Sequence, residues 1–236
     1  MTFAGVISCE HASNAVPPEL GDLGVDPSVL DSHVAWDPGA KVIAQRIAER
    51  FGHPLHLGRW TRLVADLNRR PSNPESVPVH AFGVDVPANA ALDEAGLADR
   101  RARYHTPYWD AVLAEVQSRL QTSQVLHVSV HSFTPVYQGV TRAVDVGLLV
   151  DPGHPLEARF TPALQRFIAD RGFDVRVNEP YDGRTDAMTT YLRTHFPVDR
   201  LAAVEFEVSQ RLVDDPAQLD AVGATIVDAL AALQVW

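Results

Sequence analysis

Val6-Ile7-Ser8-Cys9-Glu10-His11-Ala12-Ser13-Asn14 is a short apolar run that ends abruptly in titratable and hydrogen-bonding side chains. Apolar residues dominate from Phe3 to Ile7, which reads as a buried strand delivering Glu10 and His11 to its carboxyl end. In open α/β sheets that end is where ligands bind. Two later stretches repeat the design: Val125-Leu126-His127-Val128-Ser129-Val130-His131-Ser132 and Ala202-Ala203-Val204-Glu205-Phe206-Glu207-Val208. Three such strands would gather histidines and carboxylates above one sheet edge, as a metal or acid-base site requires.

Working outward, Asp26-Pro27 and Asp37-Pro38 each read as an N-cap followed by proline at the first helical position. The second opens a helix with Ala40, Ile43, Ala44, Ile47 and Phe51 on one stripe and Gly52 as its stop. Leu55–Leu57 and residues 63–67 are short strand candidates. Across residues 70–89 the apolar pattern fails while proline recurs at 71, 74, 78 and 87, which predicts an irregular excursion of a length that is often functional. Residues 95–121 read as helix, with Pro107 a kink or a fresh start. Residues 144–150 and 204–208 and Val175–Val177 read as strands, and residues 155–170, 186–195 and 216–233 as helices. This alternation predicts a three-layer α/β/α sandwich around a mainly parallel or mixed sheet, one domain spanning residues 1–236.

Composition narrows the function classes. Lys+Arg of 20 against Asp+Glu of 30 gives a formal net charge of −10, which repels nucleic-acid backbones and anionic membrane surfaces. The one cysteine, Cys9, cannot form an internal disulfide, and the first residues lack the pattern of a signal peptide. No run approaches the roughly 20 apolar residues that span a bilayer. The expectation is a soluble cytoplasmic protein, a monomer or small homo-oligomer.

His127 and His131 share a strand face but lie about 13 Å apart at the usual rise, so they cannot bind one ion together. His131, at the strand's carboxyl end, is the ligand candidate, and His127 reads as a core histidine held by hydrogen bonds. Glu205 and Glu207 also share a face. On an inner strand they must be paired, metal-bound or protonated, whereas on an exposed edge they would be solvated. Asp37 reads as a helix cap or a metal ligand, and His33 as a supporting group or a plain helix residue. Arg62 or Arg69 could take a substrate carboxylate bidentately, or could pair with Asp66. Cys9 and His11 lie too far apart on a strand for a thiol and its base. His53 and His56 read as a surface loop.

Taken together, Cys9-Glu10-His11-Ala12-Ser13-Asn14, His33-Val34-Ala35-Trp36-Asp37-Pro38-Gly39-Ala40, Arg62-Leu63-Val64-Ala65-Asp66-Leu67-Asn68-Arg69 and Val130-His131-Ser132-Phe133-Thr134-Pro135 resemble the N-formylglutamate amidohydrolase family. The likeness continues through Asp145-Val146-Gly147-Leu148-Leu149, Asn178-Glu179-Pro180-Tyr181, Thr189-Thr190-Tyr191-Leu192-Arg193 and Glu205-Phe206-Glu207-Val208-Ser209-Gln210. The resemblance implies a phosphorylase/hydrolase-like fold, shared with zinc carboxypeptidases and zinc-dependent cell-wall amidases. It also implies one zinc ion held by His11, His131 and a carboxylate. The carboxypeptidases place that carboxylate three residues after the first histidine, where this chain has Asn14. The amidases' position falls on Asp37, with Glu10 in reserve. Glu207 matches the catalytic glutamate, and Arg62, Asn68, Arg69 and Arg142 are the implied contacts to an N-acyl amino acid. Such a zinc site activates water and polarises the scissile carbonyl. The competing expectations are a silent binding relative that keeps the fold, and a metal-independent hydrolase using Cys9, Ser13 or Ser132.

Overall fold

Residues 3–233 are described by the computed structural model. In chain order its elements are β1 (Phe3–Cys9), α1 (Pro27–Leu30), α2 (Ala40–Phe51), β2 (Leu55–Leu57), a hairpin of β3 (His80–Ala81) and β4 (Val84–Asp85), α3 (Pro87–Ala90), α4 (Glu94–Tyr104) and α5 (Thr106–Leu120). These are followed by β5 (Gln124–Phe133), a second hairpin of β6 (Val136–Tyr137) and β7 (Val140–Thr141), β8 (Val146–Leu149), α6 (Pro155–Ala169), β9 (Val175–Val177), α7 (Met188–His195), β10 (Leu201–Ser209), α8 (Gln210–Val213) and α9 (Pro216–Ala232). Six strands form one sheet in the order β2-β1-β5-β10-β8-β9. Neighbours run parallel except β10 and β8, so the sheet is mixed.

Strand side chains alternate between faces, and here the two faces have opposite chemistry. On one, Ile7, Cys9, Val128, Val130, Val204, Phe206 and Val208 pack into the main core with α2, α6 and α9. On the other, Val6, Val125 and Leu201 meet Trp109 and Val112 of α5 and Met188 and Leu192 of α7. That second face then turns polar toward the carboxyl ends: Ser8, His127 and Ser129 come first, then Glu10, His131, Glu205 and Glu207, all buried. Buried polar groups need partners. The Ser8 hydroxyl and His127 Nε2 meet at 2.9 Å, and the Ser129 hydroxyl donates to Glu10 at 2.7 Å.

Several expectations change in detail. Residues 63–67 form turns rather than a strand. Leu63 and Val64 are buried in a separate loop cluster with Leu23, Val25 and Val86 instead of in the sheet. Their backbone is satisfied there by Asn89, whose amide donates to the Leu63 carbonyl at 2.7 Å, and by the turn bond from Val64 N to Thr61 O at 3.0 Å. Pro107 is a fresh start, with α5 opening one residue before it. The excursion over residues 70–89 contains the first hairpin and a 3-10 turn at Pro74–Ser76. Asp37 does not cap α2, whose N-cap is Gly39 at φ 78°. A Cβ on Gly39 would come within 2.5 Å of Val213, so glycine is required there and the helix starts after it. β10 lies between β5 and β8, so Glu205 and Glu207 are not on an exposed edge. His56 is part of β2 rather than a loop. No helix among the described residues is long and apolar enough to cross a membrane.

Candidate metal centre and active-site cleft

β1, β5 and β10 end at a cleft of about 530 Å³. The β1–β5 and β5–β10 register places Ser8 beside Ser129 and His131 beside Glu207, so the cleft floor is assembled from adjacent strands. Asp37 arrives on the segment before α2, where its backbone N–H donates to the His11 carbonyl at 3.0 Å.

His11, Asp37 and His131 are buried, and one ligand atom from each lies within 4.8 Å of the others. Both imidazoles turn Nδ1 inward: His131 Nδ1 is 2.7 Å from Asp37 Oδ2 and His11 Nδ1 is 3.4 Å from the same oxygen. Each Nε2 is held from behind by a carboxylate. Asp66 takes His11 Nε2 at 2.7 Å, and Glu10 takes His131 Nε2 at 3.0 Å. Glu10 also accepts from Tyr108 and Ser129, so its oxygens serve His131 and sit outside the three-residue group.

Electrostatics split the two histidines. Burial, with the Arg62 guanidinium nearby, pushes His11 down to about 4. Its Nδ1 therefore carries a lone pair, and that atom is buried without a hydrogen-bond partner. Burial also pulls on His131, but Glu205, Glu10 and Glu207 outweigh it and raise the group to about 10. A buried nitrogen lone pair beside a carboxylate and a second imidazole, each imidazole backed by an outer carboxylate, is a donor set compatible with a three-ligand zinc site. These residues fit the ion that the resemblance implies.

Glu207 lies in the cleft with Oε2 buried and unpartnered. Burial is the main cause that raises its carboxyl to about 8; His131 opposes it, Glu205 adds to it, and Arg62 and Arg142 oppose it. Glu205, also buried, has Thr189 Oγ1 at 3.4 Å. A Cβ on Gly147 of β8 would lie 3.1 Å from the Glu207 Cβ and 2.3 Å from the Glu179 carbonyl, so glycine keeps this corner open.

The four expected substrate contacts all line the cleft but are differently engaged. Arg62 contacts Asp37. Asn68 accepts the Met188 N–H at 2.9 Å, which satisfies a free donor of the first turn of α7. Arg69 donates to the Asp186 carbonyl at 2.6 Å and lies 3.6 Å from Glu75. Arg142 donates to Tyr181 Oη at 3.0 Å and to the Thr134 carbonyl at 3.3 Å. His33 also lines the cleft, from a turn rather than a helix.

Asp66 is placed on His11 rather than on an arginine, and its sequence context of a polar cluster after an apolar run gives no sign of that. Tyr108 reads in sequence as one more apolar position of a helix stripe, yet its hydroxyl lies 3.1 Å from Glu10. Cys9 points into the apolar core on the opposite face, and burial pushes its thiol up to about 12.

Residues 4–213 match the N-formylglutamate amidohydrolase family. The chain belongs to that family. Membership makes it a hydrolase of the amidohydrolase type. A solved structure of a gene product of Agrobacterium tumefaciens is 33% identical, with a TM-score of 0.84 over 98% of this chain and 92% of that one. An N-formylglutamate amidohydrolase from Ralstonia eutropha shares the fold at 18% identity, with a TM-score of 0.71 over 99% of this chain and 93% of that one. No curated protein matches the chain. The amidohydrolase fold explains why the polar face of the sheet opens where it does: this family member has its cleft at the carboxyl ends of its central strands.

Proposed function

We propose that this amidohydrolase is metal-dependent and releases the acyl group of a small N-acyl amino acid, the N-formyl derivatives being the family-level expectation. The observation that carries the reading is the meeting, in one cleft, of the buried His11, Asp37 and His131 cluster with the unpartnered Glu207 Oε2.

His11 and His131 through Nδ1, and Asp37 through its carboxylate, would hold the ion. A zinc ion bound there would supply a Lewis acid for the scissile carbonyl and lower the pKa of water toward about 7. Asp66 and Glu10 fix the two rings so that both Nδ1 atoms face inward. Glu207 accepts the proton of the attacking water at Oε2 and returns it to the leaving nitrogen. That oxygen is buried in the cleft without a hydrogen-bond partner, so it is free to take a proton and give it back. The cleft arginines orient the amino-acid carboxylate. His80, Ala81 and Phe82 of the β3–β4 hairpin and Tyr137 of the β6–β7 hairpin line the same cleft.

Elemental analysis of the purified protein, combined with turnover of N-formyl and N-acyl amino acids before and after chelation, tests this reading. About one zinc per chain, activity lost on chelation and activity regained with zinc support it. Full activity in chelator would overturn the metal dependence. Absence of turnover on every N-acyl amino acid with zinc loaded would leave a silent binding relative.

A further inference from the structure

Asp186, in the segment before α7, joins two walls of the cleft. Its carboxylate accepts from Arg70 at both Nε and the backbone N–H, and from Asn73 Nδ2 at 2.7 Å. Its backbone carbonyl accepts Arg69 Nη1 at 2.6 Å. Two residues on, the Met188 N–H closes the same seam on Asn68 Oδ1 at 2.9 Å. Residues 68–73 are thereby stapled to residues 186–188. Burial pulls the Asp186 carboxyl up, but the hydrogen bonds from Asn73 and Arg70 outweigh it and hold it below the usual carboxylate range. The staple is therefore charged at neutral pH, which strengthens each of its bonds. Both oxygens are taken by the protein, so this carboxylate lines the cleft without being free to handle substrate.

The stapled segment is a strut that starts behind His11. Asp66 Oδ1 takes His11 Nε2 at 2.7 Å and the Asn68 N–H at 2.9 Å, and the Asp66 carbonyl takes the Arg69 N–H at 3.2 Å. The buried His105 donates Nε2–H to the Arg69 carbonyl at 2.8 Å. Arg69 thus stands between a fixed end at His11 and a fixed end at Asp186. Its guanidinium has one short bond, to the Asp186 carbonyl, which neutralises no charge. Glu75 is 3.6 Å away with its side chain 74% exposed, and such a pair contributes little. Five N–H donors in a rigid fork leave ample capacity for a ligand carboxylate.

Resting on the amidohydrolase reading, we propose that Asp186 is a positioning residue: it fixes the strut so that the Arg69 guanidinium stands at a set place relative to His11 and there takes a carboxylate of the amino-acid substrate. The carbonyl that aims Arg69 belongs to the residue whose side chain holds Arg70 and Asn73. Loss of that side chain unpins the carbonyl as well.

A double-mutant cycle on Asp186 and Arg69 tests this, read by calorimetric binding of L-glutamate to the intact protein and by KM and kcat for N-formyl-L-glutamate. Asp186→Ala should weaken glutamate about tenfold and raise KM by a similar factor, with kcat and metal content nearly unchanged, because an anchoring contact is made equally in ground and transition states. Arg69→Ala should weaken binding about tenfold or more. Added to Arg69→Ala, the Asp186→Ala change should cost less than about twofold further, since its effect runs through the missing guanidinium. Asp186→Asn keeps the shape and one acceptor oxygen, falls between parent and Ala, and takes its place in the cycle should Asp186→Ala fail to fold. Losses that multiply across the cycle, as a general loosening of the fold predicts, would overturn the proposal. So would parent-like glutamate binding by Asp186→Ala, or no glutamate binding by the parent. Failure of the metal-loaded parent on every N-acyl amino acid removes the amidohydrolase reading, and the binding cycle still decides the role of Asp186. Normal turnover with a multiplicative cycle removes the positioning role alone.

Discussion

The rings of His11 and His131 meet edge to face with centroids 4.8 Å apart, and both present the same atom, Nδ1, to Asp37. The symmetry extends one layer out, because each ring leans on its own carboxylate, Asp66 or Glu10. His11→Ala and His131→Ala should each strip most of the bound zinc, since three protein ligands are the minimum for such a site. Asp37→Asn should do the same with little change in helix stability, because α2 is capped at Gly39 rather than at Asp37. Elemental analysis showing full zinc in all three variants would sink the assignment.

The outer carboxylates should matter to a smaller degree. Asp66→Asn and Glu10→Gln keep shape and lose the charge that orients the rings, so metal affinity is expected to fall by about 10- to 100-fold. Competition with a chromophoric chelator reads this directly. Unchanged affinity in both variants would mean that packing alone holds the rings.

Glu207→Gln should retain zinc and fold while kcat falls by about 10² to 10⁴, the usual contribution of a proton-transferring group. Glu205→Gln should lose much less, since it is placed beside the base rather than at the unpartnered position. Kinetics and metal content on the same preparations decide between the two. A Glu207→Gln variant that turns over normally, or one that loses its metal, removes Glu207 from the role of base.

His127 gives a pH signature that is separate from the cleft. Burial lowers it to about 4 in the folded chain, against an ordinary value of 6.5. Between those values the unfolded chain binds a proton that the folded chain refuses, so stability falls as the pH drops through this window. The loss from this group between pH 7 and pH 5 is roughly 2 kcal/mol. His127→Gln can keep the contact to Ser8 and does not titrate, so its melting temperature should depend less steeply on acid. Identical slopes for the variant and the parent would show that His127 does not contribute.

Cys9 is fully buried, and its thiol is held near 12. Alkylating reagents should leave it unmodified in the native protein at neutral pH and modify it fully in denaturant. Rapid labelling of the folded protein, accompanied by loss of activity, would revive a thiol mechanism.

The sheet, its helices and the histidine strand were legible in the sequence because apolar periodicity is a local signal. Phe3–Cys9 and Leu201–Ser209 extend the expected strands by one to three residues at their ends. Residues 63–67 misled for a physical reason: a run of buried aliphatic residues looks the same whether it fills a sheet or a loop cluster. Along the chain only the resemblance ranked Asp37 above Glu10, because spacing does not show which way either carboxylate turns. Only the three-dimensional arrangement sets Glu10 behind His131 and Asp37 between the two rings. Asp66, Tyr108 and the staple at Asp186 depend on contacts between distant segments, which carry no periodic trace.

The pairing of β1 with β5 also fixes an order of assembly. Positions 11, 37 and 131 share no short stretch that could grip an ion in the unfolded chain, and their side chains converge only when Ser8 has docked beside Ser129. An ion cannot template this architecture as it does in a zinc finger, where ligands lie close in sequence. Under the proposed reading an ion would be a late guest, meeting strands that have already found one another. Folding and loading would then be separable events, and the empty scaffold would stand ready-made for its ion.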